Sequence, residues 1–141
     1  MIPAGLFLVD TSAMARVGSA TVLTELTRLG RLGLLATCAT VDLEVLYSAR
    51  SKAEYRLIAA RRSEGFTDLP LLPEIGVRAR RVQAAMAERG QHRAAGVIDL
   101  VTAATAEHYG ATILHYDSDF DHIASVTQQP VRWVVARGSV D

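Results

Sequence analysis

Asp10, Glu44, Asp99 and Asp117 stand far apart along the 141-residue chain, yet each closes an apolar stretch or lies within an amphipathic one. Carboxylates gathered at the edge of a core repel one another, so a fold that collects them makes a pocket for a divalent cation. A hard cation in such a pocket lowers the pKa of bound water and stabilises charge on a phosphate. Other chemistries find less support. No glycine-rich phosphate loop and no Gly-x-Ser-x-Gly elbow is present. His108 and His122 fall on predicted helices with no Cys or His partner at ligand spacing, which argues against zinc. The single Cys38, between Thr37 and Ala39, reads as a small buried hydrophobe.

Periodicity gives the elements that must position these acids. Leu6-Phe7-Leu8-Val9 is a continuous apolar run, expected as a strand buried on both faces that delivers Asp10 to its C-terminal edge. Residues 21–32 carry apolar positions at threes and fours and predict a helix, followed by a short strand over 34–38. Thr40 is the expected N-cap of the helix that carries Glu44. Ser51 and Glu54 have capping-box spacing and open a helix ending near Gly65. The proline-bounded run 69–73 is expected to form at most a short edge strand. A long helix over 74–89, with Ile75, Val82, Ala85 and Met86 inward, stops at Gly90.

Asp99 lies in the first turn of the next helix, which Gly110 caps. Residues 111–116 then form a strand leading to Asp117, a short helix runs to Ser125, and residues 131–135 make a last strand. Strands alternating with helices predict an α/β domain of three layers over residues 1–141, with a central, largely parallel sheet flanked by helices. In such sheets ligands bind beyond the carboxyl ends of the strands, where both Asp10 and Asp117 fall. Glu44 and Asp99 near helix N-termini can join them, and the helix dipoles are expected to help keep them ionised.

Half the residues are hydrophobic and 21% are charged, which excludes a disordered or fibrous chain. The apolar runs are too short to span a membrane and no basic leader precedes the first, so the expected location is the cytoplasm. A net charge of zero conceals a basic middle, with ten Lys or Arg against five Asp or Glu over residues 50–93, and an acidic end, with two against six over 94–141. A basic segment beside an acidic site suits a polyanionic substrate, although a solvated helical face explains the cations equally well.

The segments Leu8-Val9-Asp10-Thr11-Ser12-Ala13, Thr40-Val41-Asp42-Leu43-Glu44-Val45, Ile98-Asp99-Leu100-Val101-Thr102-Ala103-Ala104-Thr105-Ala106 and His115-Tyr116-Asp117-Ser118-Asp119-Phe120-Asp121-His122-Ile123 occur in this order. Together they resemble the PIN-domain ribonucleases, in particular the VapC-type toxins of toxin–antitoxin pairs, and the resemblance covers essentially the whole chain. It implies metal-dependent endonucleolytic cleavage of RNA with Mg2+ or Mn2+, a cognate VapB-like antitoxin, and a homodimer. An antitoxin tail that inserts an Arg or Lys near the carboxylates would exploit their negative field. Asp10 and Asp99 are then the principal metal ligands, with Glu44 and Asp117 completing the site directly, through water or by positioning a second ion. Clustered acids titrate as a set, so no single general base is assigned.

Asp119 competes with Asp117 for the fourth position. Asp117 is favoured because it directly follows the strand, whereas the two side chains should diverge once the helix begins. His115 stands where many relatives have Thr. Thr11 and Ser12 are candidates to hydrogen-bond neighbouring carboxylates or a metal-bound water, or else only satisfy backbone at the strand end. Arg93, with His92 beside it, is the candidate grip on RNA phosphate. Trp133 and Tyr47 are expected in the core rather than as base-stacking platforms. Two rival functions remain: an aspartate-dependent phosphohydrolase, although Asp10 has no second Asp at the next-but-one position and Lys52 is the only lysine, and a noncatalytic binding module.

Overall fold

The apolar runs become a five-stranded sheet, and the computed structural model describes residues 1–141. The strands are β1 (Phe7–Val9), β2 (Leu35–Thr37), β3 (Thr67–Asp68), β4 (Thr112–His115) and β5 (Val131–Trp133). The helices are α1 (Thr11–Met14), α2 (Ala20–Arg31), α3 (Ala39–Tyr47), α4 (Lys52–Gly65), α5 (Pro73–Glu88), α6 (Val97–Tyr109) and α7 (Asp119–Thr127). Strand order is β3-β2-β1-β4-β5, and every pairing is parallel. The expected α/β architecture is therefore present, and its sheet is wholly rather than largely parallel. No helix is long and apolar enough to cross a membrane.

Side chains on successive strand residues point to opposite faces, which divides the core in two. Leu8, Ala36 and Ile113 share one face, covered by Val41 of α3, Val82 and Met86 of α5, Leu100 and Ala103 of α6, and Phe120 and Ile123 of α7. Val9, Leu35 and Leu114 share the other face, covered by Ala13 of α1 and by Val22, Leu26 and Leu29 of α2. Both flanks of β1 are thus dry, which is why its sequence shows no polar alternation. Connections between parallel strands bring their carboxyl ends to one edge, and β1 and β4 lie side by side in the sheet centre.

Several local expectations change. Cys38, not Thr40, is the N-cap of α3; Thr40 lies inside the first turn, where its hydroxyl meets that of Thr102 on α6 at 2.8 Å. The thiol of Cys38 is buried, and that burial raises its pKa. The edge strand forms at Thr67–Asp68, just before the proline-bounded run, while Leu69 sinks fully into the core. Ser51 does cap α4 by accepting the Glu54 N–H at 3.0 Å, but the Glu54 carboxylate reaches back to the N–H of Arg50 instead of Ser51. Tyr47 is exposed rather than core. Gly110 ends α6 at φ 67°, a left-handed conformation that costs glycine little.

The basic middle of the chain is mostly solvent-facing on α4 and α5, with one exception. Arg62 is 5% exposed; its Nε donates to Asp42 Oδ1 and its Nη2 to the Thr37 hydroxyl, both at 2.8 Å, while the guanidinium lies 4.6 Å from the Phe66 ring centre. This contact ties α4 to β2 and α3. Arg62→Ala removes the buried guanidinium and its packing, while Asp42, a third exposed, keeps the Thr37 hydroxyl as donor, so the expected loss is about 2 kcal/mol. Urea unfolding would check it; a loss under about 1 kcal/mol would mean the pair merely offsets its own desolvation.

Candidate metal centre

Asp10 follows β1 at the sheet's carboxyl edge, where its backbone N–H donates to Leu114 O at 2.9 Å and completes the ladder with β4. The chain turns there into α1, a four-residue helix not foreseen from periodicity, with Asp10 as its N-cap. Oδ2 of Asp10 accepts the Ser12 N–H at 2.9 Å. Oδ1 is buried and has no hydrogen-bond partner. A buried carboxylate oxygen without a donor is costly, and its natural complement is a cation.

Asp99 sits in the first turn of α6, close against its N-cap: a Cβ placed on Gly96 would lie 3.4 Å from Asp99 Oδ2. Asp117 leaves β4, and Asp119 opens α7. One carboxylate oxygen from each of Asp99, Asp117 and Asp119 falls within 4.8 Å of the others. The two loop acids do not diverge, because Asp117 Oδ1 accepts the backbone N–H of Asp119 at 2.9 Å and folds the loop back on itself. Asp119 Oδ2 in turn accepts the Gly96 N–H at 3.3 Å, joining the start of α7 to the start of α6. Both rivals for the fourth acidic position therefore stand beside Asp99.

The electrostatics reverse the expectation for Asp99. A helix N-terminus favours an ionised carboxylate by only a fraction of a kcal/mol to about 1 kcal/mol. Burial opposes it more strongly, the charges of Asp10 and Asp117 add to that, and the Asp119 carboxyl lies against it; together they push the Asp99 pKa up to about 8. Near neutral pH a proton thus occupies the place where a cation would neutralise the cluster. The donor set is all oxygen, which fits a hard divalent ion such as Mg2+ or Mn2+ and not a thiolate- or imidazole-seeking metal.

Glu44 lies on α3 at the edge of this group rather than within it. Its Oε1 accepts from the Thr11 hydroxyl at 3.1 Å, so Thr11 contacts a carboxylate. Ser12 takes the structural role instead, its hydroxyl accepting the Tyr116 N–H at 2.9 Å and tying α1 to the exit of β4. The Thr40–Thr102 contact lies one turn from Glu44 on α3 and near Asp99 on α6, fixing how those helices approach. Arg93 and His92 are exposed on the loop before α6, the loop that Asp119 holds through Gly96. His108 and His122 are exposed and belong to no metal-binding group.

His115 is the residue whose importance the sequence least disclosed. It is fully buried, packed against Phe120 and Trp133 with ring centroids 5.2 and 5.0 Å away. Burial lowers its pKa, so the ring is neutral. Its Nδ1 accepts the Asp117 N–H at 3.1 Å, which places the ring proton on Nε2, 3.9 Å from Asp121 Oδ1. A strand-end His two residues before the acid was the available signal, since alternation turns it toward the core. Here an imidazole supports the Asp117 backbone.

Comparison with known proteins agrees with the fold and gives the family. A family model described as PIN domain matches residues 7–126. The chain is 41% identical over 133 residues to Ribonuclease VapC21 of Mycobacterium tuberculosis, covering 94% of this chain and 96% of that protein. It is 35% identical over 137 residues to Ribonuclease VapC18 of the same organism, covering 96% and 99%. Among solved structures, VapBC-1 from nontypeable Haemophilus influenzae superposes with a TM-score of 0.75 at 14% identity, covering 92% of this chain and 98% of that one. VapBC2 from Rickettsia felis, bound to a DNA fragment from its promoter, gives 0.74 at 13% identity, covering 90% and 97%. At such low identity these last two speak to the fold alone, while the sequence relatives and the family model place the chain itself. It belongs to the PIN-domain family, within the VapC group.

Proposed function

We propose that the protein is a divalent-metal-dependent endoribonuclease, using Mg2+ with Mn2+ as an alternative, and acts as the toxin of a VapBC-like pair in the cytoplasm. The observation that carries this reading is the gathering of Asp99, Asp117 and Asp119, within the field of Asp10 and its orphaned Oδ1, which pushes the Asp99 carboxyl up to about 8. Asp10, Asp99, Asp117 and Asp119 would hold the ion, which when bound supplies an activated water and neutralises charge on the scissile phosphate. The protein's own groups arrange the rest. Ser12 N–H fixes Asp10, His115 and the Asp117–Asp119 turn fix the loop acids, and Thr11 orients Glu44 while leaving Oε2 without a hydrogen bond. Arg93, with His92 beside it, serves as the phosphate grip outside this cluster.

The relatives' names, and the VapBC proteins among the solved structures of this fold, support an antitoxin partner. An apolar groove of about 450 Å3 between α1, α3 and α4, lined by Met14, Val45, Ile58 and Phe66 and reaching Thr11, offers such a partner surface beside the acids. A basic side chain carried along it would meet their negative field. A homodimer, aligning the basic faces of two subunits along one RNA, completes the reading.

The phosphohydrolase rival needs an acid at the next-but-one position from Asp10, but Ser12 stands there with its hydroxyl accepting the Tyr116 N–H. The noncatalytic rival leaves the unpaired acids without a purpose. Incubation with a structured RNA and Mg2+, with EDTA, and with Mg2+ restored tests all three. RNA should be cut internally only when the metal is present, and a phosphomonoester should be left intact. Cleavage that persists in EDTA would contradict the proposal.

A further inference from the structure

A groove of about 470 Å3 begins at Asp117 and extends to residues 137–141. Its size is that of a small-ligand cleft. Its floor is aromatic: Tyr116 and Trp133 meet edge to face with centroids 5.2 Å apart. Two guanidinium groups border it. The Arg16 guanidinium lies 4.5 Å from the centre of the Tyr116 ring, and that of Arg137 lies 5.4 Å from the Trp133 ring.

Neither arginine takes part in any ion pair of the chain, although Asp117, one acid of the cluster, lines the same groove. The walls are held in advance. Arg16 Nη1 donates to Ser12 O at 2.7 Å, and its Nε is buried without a partner. The Tyr116 hydroxyl donates to Val140 O at 2.9 Å and accepts the Val140 N–H at 3.2 Å, pinning the segment that carries Arg137. Asp141 stands at the rim with the opposite charge. Cations fixed on aromatic rings and lacking carboxylate partners suit an anionic ligand.

We infer that this groove is a nucleotide subsite of the ribonuclease proposed above. It takes the nucleotide next to the scissile bond, with that nucleotide's phosphate held by Arg16 and Arg137, whose guanidinium groups lie over the Tyr116 and Trp133 rings. The order of charges along the surface carries this assignment. Acids at Asp117 require a cation before any phosphate can approach, and the guanidinium groups beyond receive the next phosphate directly. An acidic peptide would present the same charge but has no phosphodiester to place at a metal held by Asp117.

The test is a double-mutant cycle on an oligoribonucleotide whose cut site has been mapped. One arm compares the wild type with Arg137→Ala and with Arg16→Lys, which keeps the charge but loses the planar fork. The other replaces single phosphates on each side of the scissile bond by uncharged methylphosphonates. Arg137→Ala should lower kcat/KM about tenfold, carried by KM, and reduce the salt dependence of KM by roughly one charge. Arg16→Lys should lower it less. One methylphosphonate, on one side only, should weaken wild-type binding comparably and add little to the Arg137→Ala loss. Full additivity at every phosphate, or an unchanged KM, would overturn the subsite while leaving the ribonuclease reading intact. Absence of any RNA cleavage by the wild type would overturn both.

Discussion

Replacing Asp99 by Asn is expected to lower RNA cleavage by at least about a hundredfold while making the metal-free protein more stable, because a metal ligand is worth several kcal/mol in the transition state. The two effects share one cause. Asp99 is half-buried beside Asp117 and Asp119 and feels the charge of Asp10, and together these raise its pKa to about 8. An acid whose folded pKa lies above its unfolded value contributes stability that is full below about pH 4 and is lost as pH rises toward about 8, because the unfolded chain ionises first. Asparagine carries no charge and removes that loss. Asp99 is partly open to solvent, so screening reduces the gain to about 2 kcal/mol at pH 8, or roughly 6 °C in Tm. Thermal unfolding in EDTA at pH 5 and pH 8 would check this: the variant should gain mainly at pH 8. Asp10→Asn should show the same pairing of lost activity and gained stability. A variant that is destabilised at pH 8 would show that Asp99 is held by partners rather than repelled by neighbours.

The second large effect is coupling between metal and proton. Because the Asp99 carboxyl holds its proton up to about pH 8, a divalent ion must displace that proton at neutral pH. Apparent affinity for Mn2+ or Mg2+ should therefore rise about tenfold per pH unit from pH 6 to pH 8 and level off above it. Calorimetry at pH 7 in buffers of different ionisation enthalpy should report close to one proton released per ion bound, and close to none at pH 9.5. A pH-independent affinity would mean that the ion binds without engaging Asp99.

Parts of this site were readable in the chain because parallel sheets impose a direction. Asp10 and Asp117 each follow an apolar run, and a wholly parallel sheet must bring such residues to one edge. The approach of Asp119 was not readable, since it depends on the Asp117 side chain accepting a backbone N–H and bending the loop before α7 begins. Thr40 satisfies the residue preference for an N-cap, yet the hydroxyl pairs with Thr102 across 62 positions, a contact that local pattern does not encode. The burial of Arg62 escaped for the same reason: nine of the ten cations over residues 50–93 are not buried, and only the packing of α4 on β2 and α3 singles out the tenth. His115 and Tyr47 exchange the roles composition would give them, the polar ring taking the core and the aromatic one the surface. Alternation from β4 places the first. Nothing in the helical pattern of α3 distinguishes the second from its apolar neighbours.

The claim that these acids form one metal centre is most directly tested by soaking crystals in Mn2+ and measuring anomalous scattering. One peak should lie within about 2.5 Å of Asp10 Oδ1 or a carboxylate oxygen of Asp99, and close to Asp117 or Asp119, a range that covers direct oxygen ligation of divalent ions. Absence of a peak there at saturating Mn2+, or a peak only at another surface, would contradict the account.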